Sequence, residues 1–147
     1  MSAETLRFVF VSRAGWHART YTRDGLGPVL HLATFALDAR DGDFGGGATA
    51  RMRADDAFAA LIAYPAAAGV STGQGLFEES GWRSRLRAHE FSASQLQVTR
   101  IGQIGVQRFF THLERPCCLY AVVQPVRKRP EKLIAELSAA LSGVRFR

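Results

Sequence analysis

A short acidic and glycine-rich stretch, DARDGDFGGGATA at residues 38–50, is the first place where this sequence suggests chemistry. Asp38, Asp41 and Asp43 are close enough to converge on a hard cation such as Ca²⁺, which prefers carboxylate oxygens. An EF-hand would need a glutamate at its twelfth position, and Thr49 stands there instead. The three aspartates therefore predict, at most, a weak cation site of another kind.

The glycines of the same stretch suggest a phosphate-binding loop, because successive backbone N–H groups can form a concave anion site. Gly47 is followed by Ala-Thr-Ala-Arg, however, so the lysine of a P-loop is missing. The neighbouring aspartates would also repel a phosphate group. The favoured interpretation is a flexible connection, since aspartate and glycine both suit turns.

Arginines at alternate positions give a second candidate site. In HARTYTR, residues 17–23, one side of a strand would carry Arg19, Tyr21 and Arg23. Residues 82–90 would likewise expose a basic side. If both segments belong to one sheet, their side chains would form a platform of the kind that binds single-stranded nucleic acid or another polyanion. The residues predicted for this site are Arg19, Tyr21, Arg23, Arg83, Arg85 and Arg87.

Two qualifications apply to this basic site. No RNP-like motif accompanies the arginines, and the outer face of any antiparallel sheet is solvated, which explains the same pattern without a ligand. A second basic cluster comes before and within the last predicted helix, and it consists of Arg127, Lys128, Arg129 and Lys132.

The adjacent cysteines Cys117 and Cys118 are the only thiols. Neighbouring residues on a strand point to opposite faces, so we expect two free thiols. They could pair in space with His112, His89 or His31 to give a thiol-dependent enzyme. The chain carries no protease signature and no standard zinc spacing. The sequence therefore predicts no catalytic residue and no cofactor, and an enzyme is not the favoured class.

Length and composition fit one domain over residues 1–147, with 47% hydrophobic residues and a net charge of +6. A basic protein tends to meet nucleic acid, anionic lipid or an acidic protein. The N-terminus does not resemble a secretory signal and no apolar run is long enough to span a bilayer. A cytoplasmic location is the expectation.

The elements that would position these residues are strands followed by a helix, twice over. The turn signal DGLGP at 24–28 predicts a hairpin whose second strand is 29–37, although the residues of that segment also fit a buried helix starting at Pro28. Residues 66–81 read as a loop. Helices are predicted over 54–64 and over 131–142, where Pro130 opens the helix and Gly143 ends it with a left-handed cap. The predicted strands are 5–12, 17–23, 81–91, 95–101, 104–112 and 117–124, with 5–12 and 118–123 central.

This order predicts the α+β class, with a mainly antiparallel sheet of about five to six strands and two main helices packed on one face. We interpret the chain as a non-catalytic binding or assembly module that engages a protein partner, possibly acidic, through an exposed sheet or basic surface. Binding of single-stranded nucleic acid or a polyanion by the arginine-rich face is the first alternative. A small-ligand site or a thiol-dependent enzyme between sheet and helices is the second. The oligomeric state stays open.

Overall fold

The computed structural model describes residues 6–65 and 81–147, and it confirms an α+β fold with a mainly antiparallel sheet. Five strands form the main sheet in the order β2-β3-β4-β6-β5, and β1 pairs with β7 in a separate two-stranded sheet. The elements are β1 (Phe8–Phe10), β2 (His17–Arg23), β3 (Gly27–Ala33), α1 (Gly46–Arg51), β4 (Ala57–Ala63), β5 (Ile104–His112), β6 (Arg115–Val123), α2 (Pro130–Leu141) and β7 (Val144–Phe146).

The first hairpin of the sheet follows the sequence prediction. Strand β2 has the predicted bounds, and the turn is closed by the N–H of Leu26, which donates to the carbonyl of Arg23 at 3.0 Å. The ambiguous segment 29–37 continues as strand β3 as far as Ala33, because its apolar side chains pair between two neighbouring strands.

Apolar side chains cover both faces of the sheet. On the first face, α2 packs Leu133, Leu137 and Leu141 against alternate residues of the central strands, and the β1–β7 ribbon covers the same face. On the second face, the short helix α1 contributes Ala48 to a smaller cluster around Phe58. The prediction of two main helices on one face is thus corrected: the α-helices within residues 6–65 and 81–147 are one of twelve residues and one of six residues, on opposite faces of the sheet.

Strand β4 replaces the helix that was predicted over 54–64. All seven of its residues, AFAALIA, are buried, and it pairs with β3 on one side and β6 on the other. Asp55 and Asp56 therefore lie in a turn, where Asp55 has a φ of 64°, and not in the first turn of a helix. Alanine and leucine favour helices locally, but pairing on both edges decides the structure here.

Three predicted strands differ from the structure. Residues 81–91 contain no strand and end in a 3-10 turn, because the Arg108 side chain on β5 binds their carbonyl groups in place of a ladder. Residues 95–101 begin with the last residue of another 3-10 turn, Ala93–Gln95, and also form no strand. The first strand is shorter than 5–12 and pairs only with β7, so it is not central. The loop predicted at 66–81 lies, except for its last residue, outside the described residues.

Helix α2 begins as predicted, with Pro130 in its first turn, but ends differently. Ser142 caps it in the right-handed region, and Gly143 donates to the carbonyl of Ala140 without a positive φ. The predicted left-handed cap is therefore wrong. The chain turns directly into β7, where Val144 is buried. Among the described helices, none has the length and apolar character needed to cross a bilayer.

Candidate functional site

The two outer edges of the main sheet differ. Residues 81–95 run along the edge of β5 and occupy its backbone groups. Ser92 and Gly105 exchange two hydrogen bonds of 2.9 and 3.1 Å, and the Gln95 side chain accepts from the N–H of Gln107 at 2.8 Å. Gly81 also donates to Thr111 at 2.7 Å. This edge is therefore closed to a further strand along much of its length.

Strand β2 forms the other edge, and the alternation of the backbone shows which of its groups point outward. The N–H of Thr34 donates to the carbonyl of Ala57, at the start of β4, at 3.1 Å. Leu30 and Leu32 lie four and two residues before Thr34, so their backbone N–H and C=O groups also point toward β4. The backbone groups of the odd-numbered residues of β3 therefore form the hydrogen bonds with the odd-numbered residues of β2. The groups left to point away from the sheet are the N–H and C=O of Ala18, Thr20 and Thr22.

These outward groups form no hydrogen bond within residues 6–65 and 81–147. The side chains of the same three residues are exposed on the first face of the sheet. An exposed row of unpaired backbone donors and acceptors is a template for another strand. We call this row the β2 edge.

Strand β1 presents a second open edge near the first. Arg7 and Arg147 exchange hydrogen bonds of 2.6 and 2.9 Å, and Val11 donates to Gly143 at 3.1 Å. The intervening residues Phe8 and Phe10 therefore direct their backbone groups away from β7.

A cleft lies between the two strands. It consists of two adjoining cavities of about 350 and 370 Å³, which share Phe8 on one wall and Thr20 on the other. Small side chains of β2 form one side, and larger apolar side chains from the β1 region form the other. The remaining lining residues are Leu6, Arg7, Val9, Phe10, Ser12, Trp16, Ala18, Tyr21, Thr22 and Pro28. We call this feature the β1–β2 cleft.

Arg19, Tyr21 and Arg23 share the second face of β2, as the alternation predicted. The Arg19 guanidinium lies 4.5 Å from the centre of the Tyr21 ring. The Tyr21 hydroxyl donates to the carboxylate of Asp43, and Arg23 lies 3.5 Å from the other oxygen of that carboxylate. Arg23 also donates to the carbonyl of Ala63 at 2.8 Å. Burial, together with the hydrogen bond to Asp43, raises the pKa of Tyr21, so this hydroxyl keeps its proton.

Arg19 is the cation of this group without an ion pair in the part of the chain that the structure describes. Arg23 shares Asp43, whereas Arg19 contacts the Tyr21 ring and is only partly buried. An anionic group arriving at this face would therefore meet Arg19 first, because its charge is not already balanced by a carboxylate.

His31 anchors the Asp43 loop to the same face from β3. Its side chain is fully buried, and its Nε2 lies 2.8 Å from the backbone carbonyl of Asp43. Since a carbonyl can only accept, Nε2 carries the proton and Nδ1 does not. Nδ1 has no partner among the described residues. Burial lowers the pKa of His31, which keeps the ring neutral and suited to this structural role.

The structure separates the six residues predicted for the anion site. The residues Arg83, Arg85 and Arg87 lie beside β5, since the Arg108 side chain donates to the carbonyls of Arg83 and Arg85, each at 3.0 Å. Four inter-strand spacings, or about 19 Å, separate β5 from β2. The two arginine groups therefore do not form one platform.

The three aspartates predicted as cation ligands each meet a different arginine. Asp38 pairs with Arg40 at 3.1 Å, Asp41 binds Arg51, and Asp43 contacts Arg23. Over residues 6–65 and 81–147, no three His, Cys, Asp or Glu side chains are placed to hold a metal ion. The stretch 38–50 is organised by these contacts into a 3-10 turn and helix α1.

The two thiols are free, as predicted, and both are buried in β6. Burial raises the pKa of Cys117 and of Cys118 to about 12. The thiolate is the nucleophilic form, and burial therefore disfavours the reactive state of both cysteines at neutral pH. His112 accepts a hydrogen bond from the N–H of Trp82 at 3.1 Å. These observations lend no support to thiol chemistry.

Sequence reasoning identified the alternation of β2 but missed its position at the edge and the outward groups of Ala18, Thr20 and Thr22. Edge position depends on strand order, which local alternation does not reveal. Comparisons of the chain with models of protein families, with curated proteins and with solved structures found no match.

Proposed function

We propose that this chain is a non-catalytic binding module that adds an extended segment of a partner protein to the β2 edge. The contrast between the two sheet edges carries the proposal. The β5 edge is occupied by the chain's own residues 81–95, whereas the outward groups of β2 are unpaired within the described residues. Addition of a peptide strand to an exposed edge is a recurrent mode of recognition, in which backbone hydrogen bonds supply affinity.

The positive charge on the second face of β2 favours acidic side chains on one face of the partner segment. A strand added to β2 places its side chains about 5 Å from those of β2 on the same face. On the second face these neighbours are Arg19, Tyr21 and Arg23, and Arg19 lacks a described ion pair. Acidic residues in the partner would satisfy this cation. The net charge of +6 favours approach of such a segment.

The other face of the partner segment meets the β1–β2 cleft. Ala18, Thr20 and Thr22 leave room because their side chains are small, and Phe8 and Trp16 supply apolar surface. Side chains pointing into this space would gain by being apolar and of moderate size. The preferred segment is therefore one in which acidic and apolar residues alternate, with period two.

A second copy of the same chain fits this edge less well. Antiparallel pairing of β2 with its copy would gather Arg19 and Arg23 of both copies on one face. Like charges that face each other across a strand pair are destabilising. Binding of a polyanion also receives less support, because the Tyr21 ring already carries Arg19 and is not open for stacking with a base on that side.

The test uses a ten-residue peptide in which Glu and Val alternate, with a scrambled peptide of the same composition as the reference. Binding is measured by isothermal titration calorimetry. We expect the alternating peptide to bind more tightly than the scrambled one. Arg19→Gln should weaken binding by about threefold to tenfold, because it removes the cation that faces the acidic side chains.

The sharpest variant is Thr20→Pro, compared with Thr20→Val. Proline removes an outward N–H and leaves the ladder with β3 intact, as edge strands tolerate. Loss of that hydrogen bond and an unsatisfied carbonyl in the peptide should cost about 2 kcal/mol, or roughly thirtyfold in affinity. Valine keeps the N–H and should stay within about threefold. Equal binding by the wild type and Thr20→Pro would rule out strand addition at this edge.

A further inference from the structure

Three loops leave the main sheet at the same end. Residues Ala57, Val123 and Ile104 lie side by side at the ends of β4, β6 and β5. The loops 52–56, 124–129 and 96–103 are attached there. They form one continuous end of the molecule, which we call the loop end.

Hydrogen bonds hold these three loops together. Asp55 and Gln124 are joined by a backbone hydrogen bond of 2.8 Å, and the Gln103 side chain donates to the Gln124 side chain at 2.9 Å. One carboxylate oxygen of Asp55 accepts the backbone N–H groups of Val126, Arg127 and Lys128 at 2.9 to 3.0 Å. The tips of the loops are therefore fixed relative to one another.

Aliphatic side chains project from two of these loops. Ile101 is completely exposed at the tip of a turn, which is closed by the N–H of Gln103 donating to Arg100. Val126 is 65% exposed and Val98 is 48% exposed. Transfer of such exposed aliphatic side chains from water into an apolar medium is favourable.

Exposed arginines lie in two of these loops. Arg53, Arg127 and Arg129 are exposed and make no ion pair within the described residues. Lys128 is engaged by Glu136 at 2.9 Å, and Asp55 is satisfied by backbone N–H groups. The carboxylate of Asp56 accepts from the N–H of Arg53 and the hydroxyl of Thr34 and is partly buried, so the exposed charged side chains of the three loops are all positive.

The opposite end of the sheet supplies a contrast within the same chain. Its two hairpin turns also expose aliphatic side chains, Leu26 at 48% and Leu113 at 64%. There, however, the exposed residues Asp24 and Glu114 lie next to the leucines. Exposed aliphatic side chains are thus accompanied by exposed arginines at the loop end and by exposed acidic residues at the opposite end.

We propose that the loop end docks onto the surface of an anionic lipid bilayer, with Ile101 and Val126 inserted at the headgroup boundary. Separate projecting tips suit a soft interface, whereas a protein partner is packed against a contiguous apolar patch. The arginines attract anionic headgroups, and the aliphatic tips add apolar burial. This surface is separate from the β2 edge, and the inference does not depend on strand addition there.

The test is co-sedimentation of the full chain with vesicles at 0.1 M salt. One set of vesicles contains phosphatidylcholine alone, and the other contains phosphatidylcholine with three parts in ten of phosphatidylserine. We expect binding to the anionic vesicles at least about tenfold stronger than to the neutral ones, as several arginines near the surface require. Arg127→Gln and Arg129→Gln should each weaken binding by about fivefold.

Matched double variants test the aliphatic tips. Ile101→Ser with Val126→Ser should weaken binding to anionic vesicles at least about tenfold, since two apolar side chains no longer insert. Leu26→Ser with Leu113→Ser, at the opposite end, should stay within twofold of the wild type. Thr20→Pro should bind vesicles like the wild type.

Three results would overturn the inference. They are wild-type protein that remains in the supernatant with anionic vesicles, equal binding to neutral vesicles, and an equal loss in the two double variants. Because all four substituted side chains are exposed, circular dichroism should report unchanged folding for both double variants.

Discussion

Replacing Arg51 by methionine should destabilise the fold, because it leaves the buried carboxylate of Asp41 without its cation. The Asp41 side chain is only 2% exposed, and Arg51 binds both of its oxygens. Arg51 also donates to the carbonyls of Ala36 at 3.0 Å and Gly47 at 3.1 Å. One guanidinium therefore joins the start of the 38–50 stretch to helix α1.

The expected loss of stability follows from the different exposure of the Arg51 and Asp41 side chains. Removing one partner of a fully buried pair costs about 3 to 5 kcal/mol. The Arg51 side chain is 42% exposed, so water screens the interaction and the expected loss is smaller, about 2 kcal/mol. For a chain of this size, that loss lowers the melting temperature by about 4 to 8 °C.

Acid should remove this difference between wild type and variant. Arg51 and the N–H of Asp38 hold the pKa of Asp41 below its ordinary value, against the effect of burial, which would raise it. A depressed carboxyl pKa stabilises the folded state above the unfolded pKa, near pH 4, and that stabilisation is lost as pH falls through the folded pKa. The two proteins should therefore differ most at neutral pH and converge in acid.

The matched control is Arg40→Met, which breaks a neighbouring but exposed pair. The Arg40 side chain is 89% exposed and that of its partner Asp38 is 41% exposed. A pair of this kind contributes little, so the variant should stay within about 0.5 kcal/mol of the wild type. Urea and thermal denaturation followed by circular dichroism measure both. Equal losses in the two variants, or an Arg51→Met loss independent of pH, would refute the reasoning.

Two further predictions concern packing and the thiols. Gly45→Ala should destabilise the fold by more than about 2 kcal/mol, because its φ is 73° and an added Cβ would clash with the Phe58 ring; Gly46→Ala, at a helical position with no positive φ and nothing within 4 Å of the added Cβ, should stay within about 1 kcal/mol of the wild type in urea denaturation. Cys117 and Cys118 should react with iodoacetamide at pH 7.5 only after denaturant is added, since burial raises the pKa of each to about 12; rapid labelling of the native protein in mass spectrometry would contradict this.

Local patterns predicted those elements whose side chains face two different environments. Strand β2 alternates between the two faces of the sheet, and helix α2 has one apolar stripe, so both were recognisable. For strand β4 the sequence predicts a helix, because all the residues of this strand are buried and alternation is absent. A short apolar run of alanine and leucine does not distinguish a central strand from a buried helix.

The prediction of a strand over 81–91 is wrong for the opposite reason, because this segment alternates in burial without forming a strand. Leu86 is buried beneath α2, while Arg83, Arg85 and Arg87 are exposed, which reproduces the period of a strand. Its backbone is held by the side chains of Arg108 and Ser138. Contacts with residues so distant in the chain leave no local signal.

The candidate site was partly predictable. Alternation placed Arg19, Tyr21 and Arg23 on one face, as the structure confirms. The contact between Tyr21 and Asp43 joins residues 22 positions apart and depends on how the 38–50 stretch folds back. That the outward groups of β2 are open depends on strand order, which only the assembled sheet reveals.

Amide hydrogen exchange along β2 tests strand addition most directly. In the free protein, the N–H groups of Ala18, Thr20 and Thr22 should exchange rapidly, while those of Arg19 and Tyr21 are protected by β3. Addition of the peptide in which Glu and Val alternate should slow exchange at the three outward amides, as measured by two-dimensional NMR. Outward amides that are protected without peptide, or that remain unprotected at saturating peptide, would contradict the account.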